Sequence, residues 1–151
     1  MQKKLQVEAI EQGSVIDHIP ARQGVKILKF FQFTQTNEKI TIGLNLPTKN
    51  GKSKDLIKIE NTFFNDQQAN QLALFAPNAT INQIKDFKVV NKFKVQLPAS
   101  FIDVLACPNS NCISHNEPVK TRFYVQQKEN LKLKCHYCEK SFLRTTFNEL
   151  D

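Results

Sequence analysis

KITIGLNLP, residues 39–47, and DLIKIEN, residues 55–61, are the two stretches on which the fold turns. In the first, Ile40, Ile42, Leu44 and Leu46 alternate with smaller or polar neighbours, the period of a strand with one buried face. TKNGKSK, residues 48–54, is a polar turn between them. The second stretch returns as the hairpin partner, with Ile57 and Ile59 inward.

Outward from this hairpin, strand and helix patterns alternate. LQVEAI, residues 5–10, predicts a strand burying Leu5, Val7 and Ala9. After Pro20, which suits a first helical turn, Ala21, Val25, Leu28 and Phe31 recur at the spacing of one helix face. A second helix is expected from Asp66 as N-cap, with Ala69, Leu72, Ala73 and Ala76 on one face, ending at Pro77. ATINQI (79–84) and DFKVVNKFKV (86–95) supply closing strands. The order β-α-β-β-α-β is that of the split βαβ, a ferredoxin-like antiparallel sheet with two helices. Charged residues alternating with apolar ones along the strands fit a sheet with one wet side.

LPAS, residues 97–100, marks a boundary: one domain over residues 1–98 and a second over 99–151. Beyond it helical periodicity fades into β-rich stretches, TRFYVQQ (121–127) and LKLKC (131–135). The expected class is α+β, with a small all-β domain following the sheet. About fifty residues make a thin core, so a staple is expected.

That staple is legible. All four cysteines of the chain fall in CPNSNC (107–112) and CHYC (135–138), as C-x4-C, 22 residues, then C-x2-C. Two close pairs joined by a hairpin-length segment are the sequence form of a tetrahedral four-cysteine zinc site, here zinc-ribbon-like. Cys107, Cys112, Cys135 and Cys138 are the expected ligands of one structural Zn2+. Lys132, Lys134 and Lys140 lie close in sequence to offset its charge. A disulfide pair, free thiols and a CxxC redox site are the alternatives; the last is disfavoured because CHYC opens no helix of a βαβ unit. His115 and His136 are expected to face solvent.

Composition narrows the function. The chain carries 21 Lys/Arg against 14 Asp/Glu, a net +7. Residues 1–98 hold 14 against 8 and residues 99–151 hold 7 against 6, so the basic excess lies away from the cysteines. Four thiolates and one divalent ion would take the second domain from +1 to −1. A zinc ribbon that reads nucleic acid should be basic, so a nucleic-acid-binding zinc ribbon is the weaker alternative and docking onto protein the better reading. No run approaches the length of a membrane span. Gln6, Glu8 and Glu11 stand where a secretion signal needs an apolar stretch, so the expected compartment is cytoplasmic.

Chemistry in the basic domain points to binding. GKS at 51–53 has Leu46 where a phosphate-binding loop needs glycine, in a hairpin context, and is read as a turn. Lys58 and Lys92 sit in strands among apolar residues, as solvated edges or as parts of an anion pocket built from several strands. Asp17 and His18 could form an acid–base pair, but no activated nucleophile accompanies them, and catalysis is not expected.

Several blocks carry a resemblance: KLQVEAI (4–10), GSVIDHIPA (13–21), KITIGLNLP (39–47), DLIKIENTF (55–63), QLALFAPNATIN (71–82), CPNSNCISHNEPV (107–119) and CHYCEK (135–140). In order and over nearly the whole chain, they resemble the regulatory chain of bacterial and archaeal aspartate carbamoyltransferase. The resemblance implies a subunit that does no chemistry. Such chains form a homodimer through their N-terminal domains, and three pairs bridge two catalytic trimers at the head of pyrimidine synthesis. ATP activates, CTP inhibits and UTP assists CTP. Carried over by position, the nucleotide site would use the backbone of Ala9 and Ile10 for the base. Asp17 would meet the ribose region with His18 nearby, Lys58 the base or sugar, and Lys92 the phosphates, while Asn82 and Val89 line the pocket. A backbone edge can accept the exocyclic amino group of adenine or cytosine, which uracil lacks. Asn109, Asn111, Glu139 and Lys140 match positions used against catalytic chains; small polar residues would also merely suit tight turns. Phe87 stands where the family often has Tyr, and Asn91 where it often has Gly. The TKNGKSK turn is also more basic than the family pattern. All three departures bear on the strength and sign of the nucleotide response.

Overall fold

In the computed structural model, residues 9–149 are described, and the chain divides into two compact units, Met1–Gln96 and Leu97–Asp151. Each is built around its own sheet.

The first unit runs β1 (Gly13–Pro20), α1 (Gly24–Phe30), β2 (Ile40–Pro47), β3 (Ser53–Glu60), α2 (Asp66–Gln71), β4 (Thr80–Lys85) and β5 (Lys88–Lys94). The strands lie in the order β2-β3-β1-β4-β5, with every neighbouring pair antiparallel. With β3 between β1 and β2, and β4 beside β1, this is the ferredoxin-like split βαβ with one added edge strand. The register sets Ile16 opposite both Ile57 and Ile81, and these three are completely buried, as is Ile59. Each such isoleucine contributes about 1.5–3 kcal/mol by leaving water.

The first expected strand falls largely outside the described residues: Leu5 and Val7 lie there, and Ala9 and Ile10, which are described, belong to no strand. The first described strand is GSVIDHIP, which Pro20 ends rather than opening a helix. Helix α1 is short and turned: Gly24 and Ile27 are its buried positions, while Val25 is 44% exposed. A buried carboxylate causes this, for Asp55 Oδ2 accepts the Gly24 N–H at 2.9 Å and fixes which side of the helix meets the sheet. The N-cap of α2 is Asn65, one residue before the expected Asp66. Its side chain takes the Gln68 N–H at 2.8 Å, while Gln68 Oε1 takes the Asn65 N–H at 3.1 Å, a reciprocal capping box. The face of Ala69, Leu72, Ala73 and Ala76 is buried as the spacing predicts, the latter part as a 3-10 turn, Leu72–Leu74.

The alternation in KITIGLNLP breaks partway. A bulge falls between Gly43 and Leu46, where Asn45 has φ 58°, so Leu44 turns to solvent. Leu46 moves to the other face of the sheet, packing on a cluster of Ile10, Val15, Leu56 and Ile84. The second face is therefore not simply wet. It carries that apolar cluster together with a buried lysine, Lys58, 8% exposed.

The second unit contains β6 (Ser100–Ile102), β7 (Leu105–Ala106), β8 (Arg122–Gln127), β9 (Lys132–Cys135), β10 (Ser141–Leu143) and β11 (Asn148–Glu149). Four of these form an antiparallel sheet in the order β10-β9-β8-β6, and β11 pairs with β7. Its core is small: Phe123 meets Phe147 edge-on at 4.9 Å between ring centres, beside the buried Phe101, Leu105 and Leu133. A core this thin leaves the four cysteines, three of them buried, to complete it. No helix among the described residues is long and apolar enough to cross a membrane.

Candidate functional site

Two places collect chemistry, one in each unit. In the second unit the sulfurs of Cys107, Cys112, Cys135 and Cys138 all lie within 4.8 Å of one another. Cys107 and Cys138 are 3.8 Å apart, Cys112 and Cys135 3.7 Å. A disulfide would bring two sulfurs to about 2.05 Å. A tetrahedron with metal–sulfur bonds of about 2.3 Å has edges of about 3.8 Å, the spacing of these two pairs. The donor set thus fits one tetrahedral, thiophilic ion with no position left for a substrate.

The local backbone explains how two short loops achieve this. In each pair the chain folds back so that its N–H groups point at sulfur: Asn109 N–H at Cys107, Tyr137 and Cys138 N–H at Cys135, and Lys140 N–H at Cys138. Ser114 adds a hydroxyl to Cys112 at 3.1 Å. Burial pushes the Cys107 and Cys135 thiols up, and neighbouring sulfurs push them further. Burial acts in the same sense on Cys138, but the Lys140 N–H, the Asn109 side chain and the neighbouring thiols outweigh it and bring Cys138 down to about 7. Cys107 and Cys135 are thus biased toward the thiol and Cys138 toward the thiolate, and a divalent cation would supply the charge that favours thiolate ligands.

Both histidines near the cysteines are exposed, as expected, and neither joins the sulfur cluster. His115 Nε2 lies 3.0 Å from the carbonyls of both Cys107 and Asn109, bracing the first loop, and His136 Nδ1 lies 2.8 Å from the Tyr124 hydroxyl. Of the four polar residues beside the cysteines, Asn111, Glu139 and Lys140 are exposed. Asn109 is only half-exposed and works inward, since its Oδ1 accepts the Asn111 N–H at 3.1 Å and its side chain meets Cys138. Glu139 holds φ 62°, a left-handed conformation that suits glycine better.

In the first unit the candidate residues converge on the second face of the sheet. Val15 is paired on one side with Lys58 and on the other with Asn82, and Asn82 is paired with Lys92. Lys58, Val15, Asn82 and Lys92 therefore form one cross-strand row over four strands. Asp17 lies two residues along β1 on the same face, where its carboxylate meets Lys54 at 2.8 Å. Burial works to raise the Asp17 carboxyl. The Lys54 ammonium, the His18 N–H at 2.7 Å and the charges of Lys54 and His18 outweigh it and hold the carboxyl below the usual aspartate range. His18 sits in a bulge with φ 60°, its Nδ1 3.1 Å from Thr80 Oγ1. Ile10 is buried in the apolar cluster beneath the row, Ala9 is exposed, and Val89 is paired with Ile84 of that cluster.

Two features mark this face as a site. Among the described residues, strand register sets Lys54, Lys58, Lys92 and Lys94 on it against Asp17 and Glu60, which makes it net positive. Asn82 Oδ1 is buried with no hydrogen-bond partner among the described residues, a position that in native proteins calls for an explanation. A cavity of about 510 Å3 opens on the opposite face, lined by Phe64, Asp66, Asn70, Gln83, Asn91 and Phe93 among others. None of the row residues lines it, and the row has the stronger chemistry. Lys54 was not singled out from the sequence, although the signal was present: it stands four residues before Lys58, so period two places both on one strand face.

The comparisons with known proteins agree with this division. Residues 5–96 match the family model described as aspartate carbamoyltransferase regulatory chain, allosteric domain, and residues 100–148 match its metal binding domain. The chain is 80% identical to the aspartate carbamoyltransferase regulatory chain of Psychromonas ingrahamii over 151 residues, all of both chains. It is 61% identical to that of Tolumonas auensis over 148 residues, 97% of this chain and 96% of the other. To that of Yersinia pestis it is 58% identical over 149 residues, 98% and 97% of the two. With matches at this level across both units, the chain belongs to the aspartate carbamoyltransferase regulatory chain family.

Proposed function

We propose that this chain is a non-catalytic regulatory subunit that binds ATP and CTP, and UTP together with CTP, on the second face of the N-terminal sheet. It passes the signal to catalytic chains of aspartate carbamoyltransferase through a zinc-bearing C-terminal domain. The observation that carries the reading is the row of Lys58, Val15, Asn82 and Lys92, with Asp17 and Lys54 beside it. A nucleoside triphosphate needs cations for its phosphates, an acceptor for its ribose hydroxyls and an apolar bed for its base. Lys92 and its neighbours supply the first, Asp17 the second, and Ile10 and Val89 flank the third. The backbone of Ala9 and Ile10 offers an edge that takes the amino group of adenine or cytosine alike.

Zinc is the ion that best fits four cysteine sulfurs lying within 4.8 Å of one another in a closed site. Its role is to hold the loops that carry Asn109, Asn111, Glu139 and Lys140. The strained φ of Glu139 supports a docking role, since an exposed glutamate kept where glycine is easier has a use outside the fold. The regulatory chain forms a homodimer through its N-terminal unit and works in the cytoplasm, where thiols remain available to metal. Reconstitution with catalytic trimers tests the whole reading. CTP should lower and ATP raise activity only in the assembled complex; a complex that forms but ignores both nucleotides refutes it.

A further inference from the structure

Asp55 is completely buried, on the helix-bearing side of β3, and both its oxygens are spent on backbone. Oδ2 accepts the Gly24 N–H at the start of α1 at 2.9 Å, and Oδ1 accepts the Asn45 N–H in the β2 bulge at 3.0 Å. No cation joins it among the described residues. Burying a carboxylate in this way is costly, and an apolar side chain in a sheet core is the cheaper solution.

Both strands it ties bulge where they pass it. In β1 the register slips between Ile16 and Ile19, with Ile19 facing Asp55; in β2 it slips between Gly43 and Leu46, around the same residue. The β1 bulge contains Asp17 and His18, and its geometry sets Asp17 against Lys54, the residue before Asp55. Gly24 follows β1 by one turn, in which the Gln23 N–H bonds the Pro20 carbonyl at 3.1 Å. The carboxylate therefore fastens the exit of β1 and the middle of β2 to one point on β3. A bulge re-aims the side chains beside it, so whatever fixes the bulge fixes where Asp17 points.

We infer that Asp55 is a positioning residue for the effector face, holding the β1 bulge so that Asp17, His18 and Lys54 stand beside the lysine row. The inference rests on the nucleotide-binding reading above. It separates the face into two parts: the Asp17 end, which depends on Asp55, and the Lys92 end, which is built on β4 and β5 and does not.

A double-mutant cycle on the full-length, zinc-loaded chain tests this, with CTP binding followed by calorimetry. Asp55→Asn keeps the shape but replaces one acceptor oxygen by an amide donor facing an N–H. In wild type, Asp17→Ala should change CTP affinity by about ten-fold; in the Asp55→Asn background the same replacement should change it by less than about two-fold. Lys92→Ala should cost the same in both backgrounds. Should Asp55→Asn not fold, Gly24→Ala serves in its place, because the added methyl would stand 3.0 Å from Asp55 Oδ2 and displace the carboxylate slightly. An undiminished Asp17 effect, or Asp17 and Lys92 effects that shrink together, overturns the positioning role and leaves nucleotide binding standing. Wild-type chain that binds no CTP overturns both.

Discussion

Asn82 of β4 stands directly opposite Lys92 of β5, and its side-chain oxygen is buried without a partner among the described residues while Lys92 is exposed beside it. The pair joins a polar atom awaiting a donor to a cation free to reach an anion. Lys92→Ala should weaken CTP and ATP alike by about ten-fold or more, since a hydrogen bond to a charged group contributes about 1.5–3 kcal/mol. The loss should shrink as salt is added. Calorimetry that found CTP binding to Lys92→Ala undiminished would remove this residue from the site.

Zinc content and folding should be linked in the second unit only. Metal analysis should find one zinc per chain. Replacing any of Cys107, Cys112, Cys135 or Cys138 by Ser should cost the unit its amide-exchange protection, because its few aromatic contacts cannot close the core alone. Residues 1–96 have a separate sheet and should still bind CTP. Loss of nucleotide binding on metal removal would contradict this separation.

Stability should depend on pH through Asp17. Its carboxyl is held below the ordinary value in the folded chain, so the stabilisation is complete above the unfolded pKa, about 3.9, and is lost as pH falls through the lower folded value. Asp17→Asn should therefore lower the melting temperature of the N-terminal unit at neutral pH. The gap from wild type should close in strong acid. A gap of constant size from pH 7 to pH 2 would show that the Lys54 pairing contributes nothing.

Glu139→Gly should separate stability from docking. Relieving a left-handed φ of 62° at a residue with a Cβ should stabilise the metal-bearing unit by about 1 kcal/mol. The same change removes an exposed charge proposed to face the catalytic chain and should weaken the complex. Sedimentation alongside thermal melts would show both; tighter docking by the variant would rule out that contact.

Gly13 should not tolerate a side chain. With φ 142°, a Cβ there would collide with the Ile59 carbonyl across the β1–β3 pair. Gly13→Ala should destabilise the N-terminal unit by more than about 2 kcal/mol, measured by urea unfolding.

Much of this protein is decided along the chain. Ile57 and Ile59 alternate because a strand has two faces, and the four cysteines converge because two short pairs can each bend around one ion. The order of elements and the family blocks likewise require no third dimension. What the sequence could not declare are the departures from regular period. Leu44 and Leu46 share one spacing, but Leu44 is exposed while Leu46 packs on the apolar cluster, because a bulge falls between Gly43 and Leu46. The face of α1 shifts from Val25 to Ile27 because a carboxylate 31 positions away takes the Gly24 N–H. Lys58 and Lys92 lie 34 residues apart and read separately as surface lysines; only strand pairing through Val15 and Asn82 sets them in one row. Local spacing fixes which way a side chain starts, whereas cross-strand register and buried polar bonds, which act between distant residues, decide what it meets.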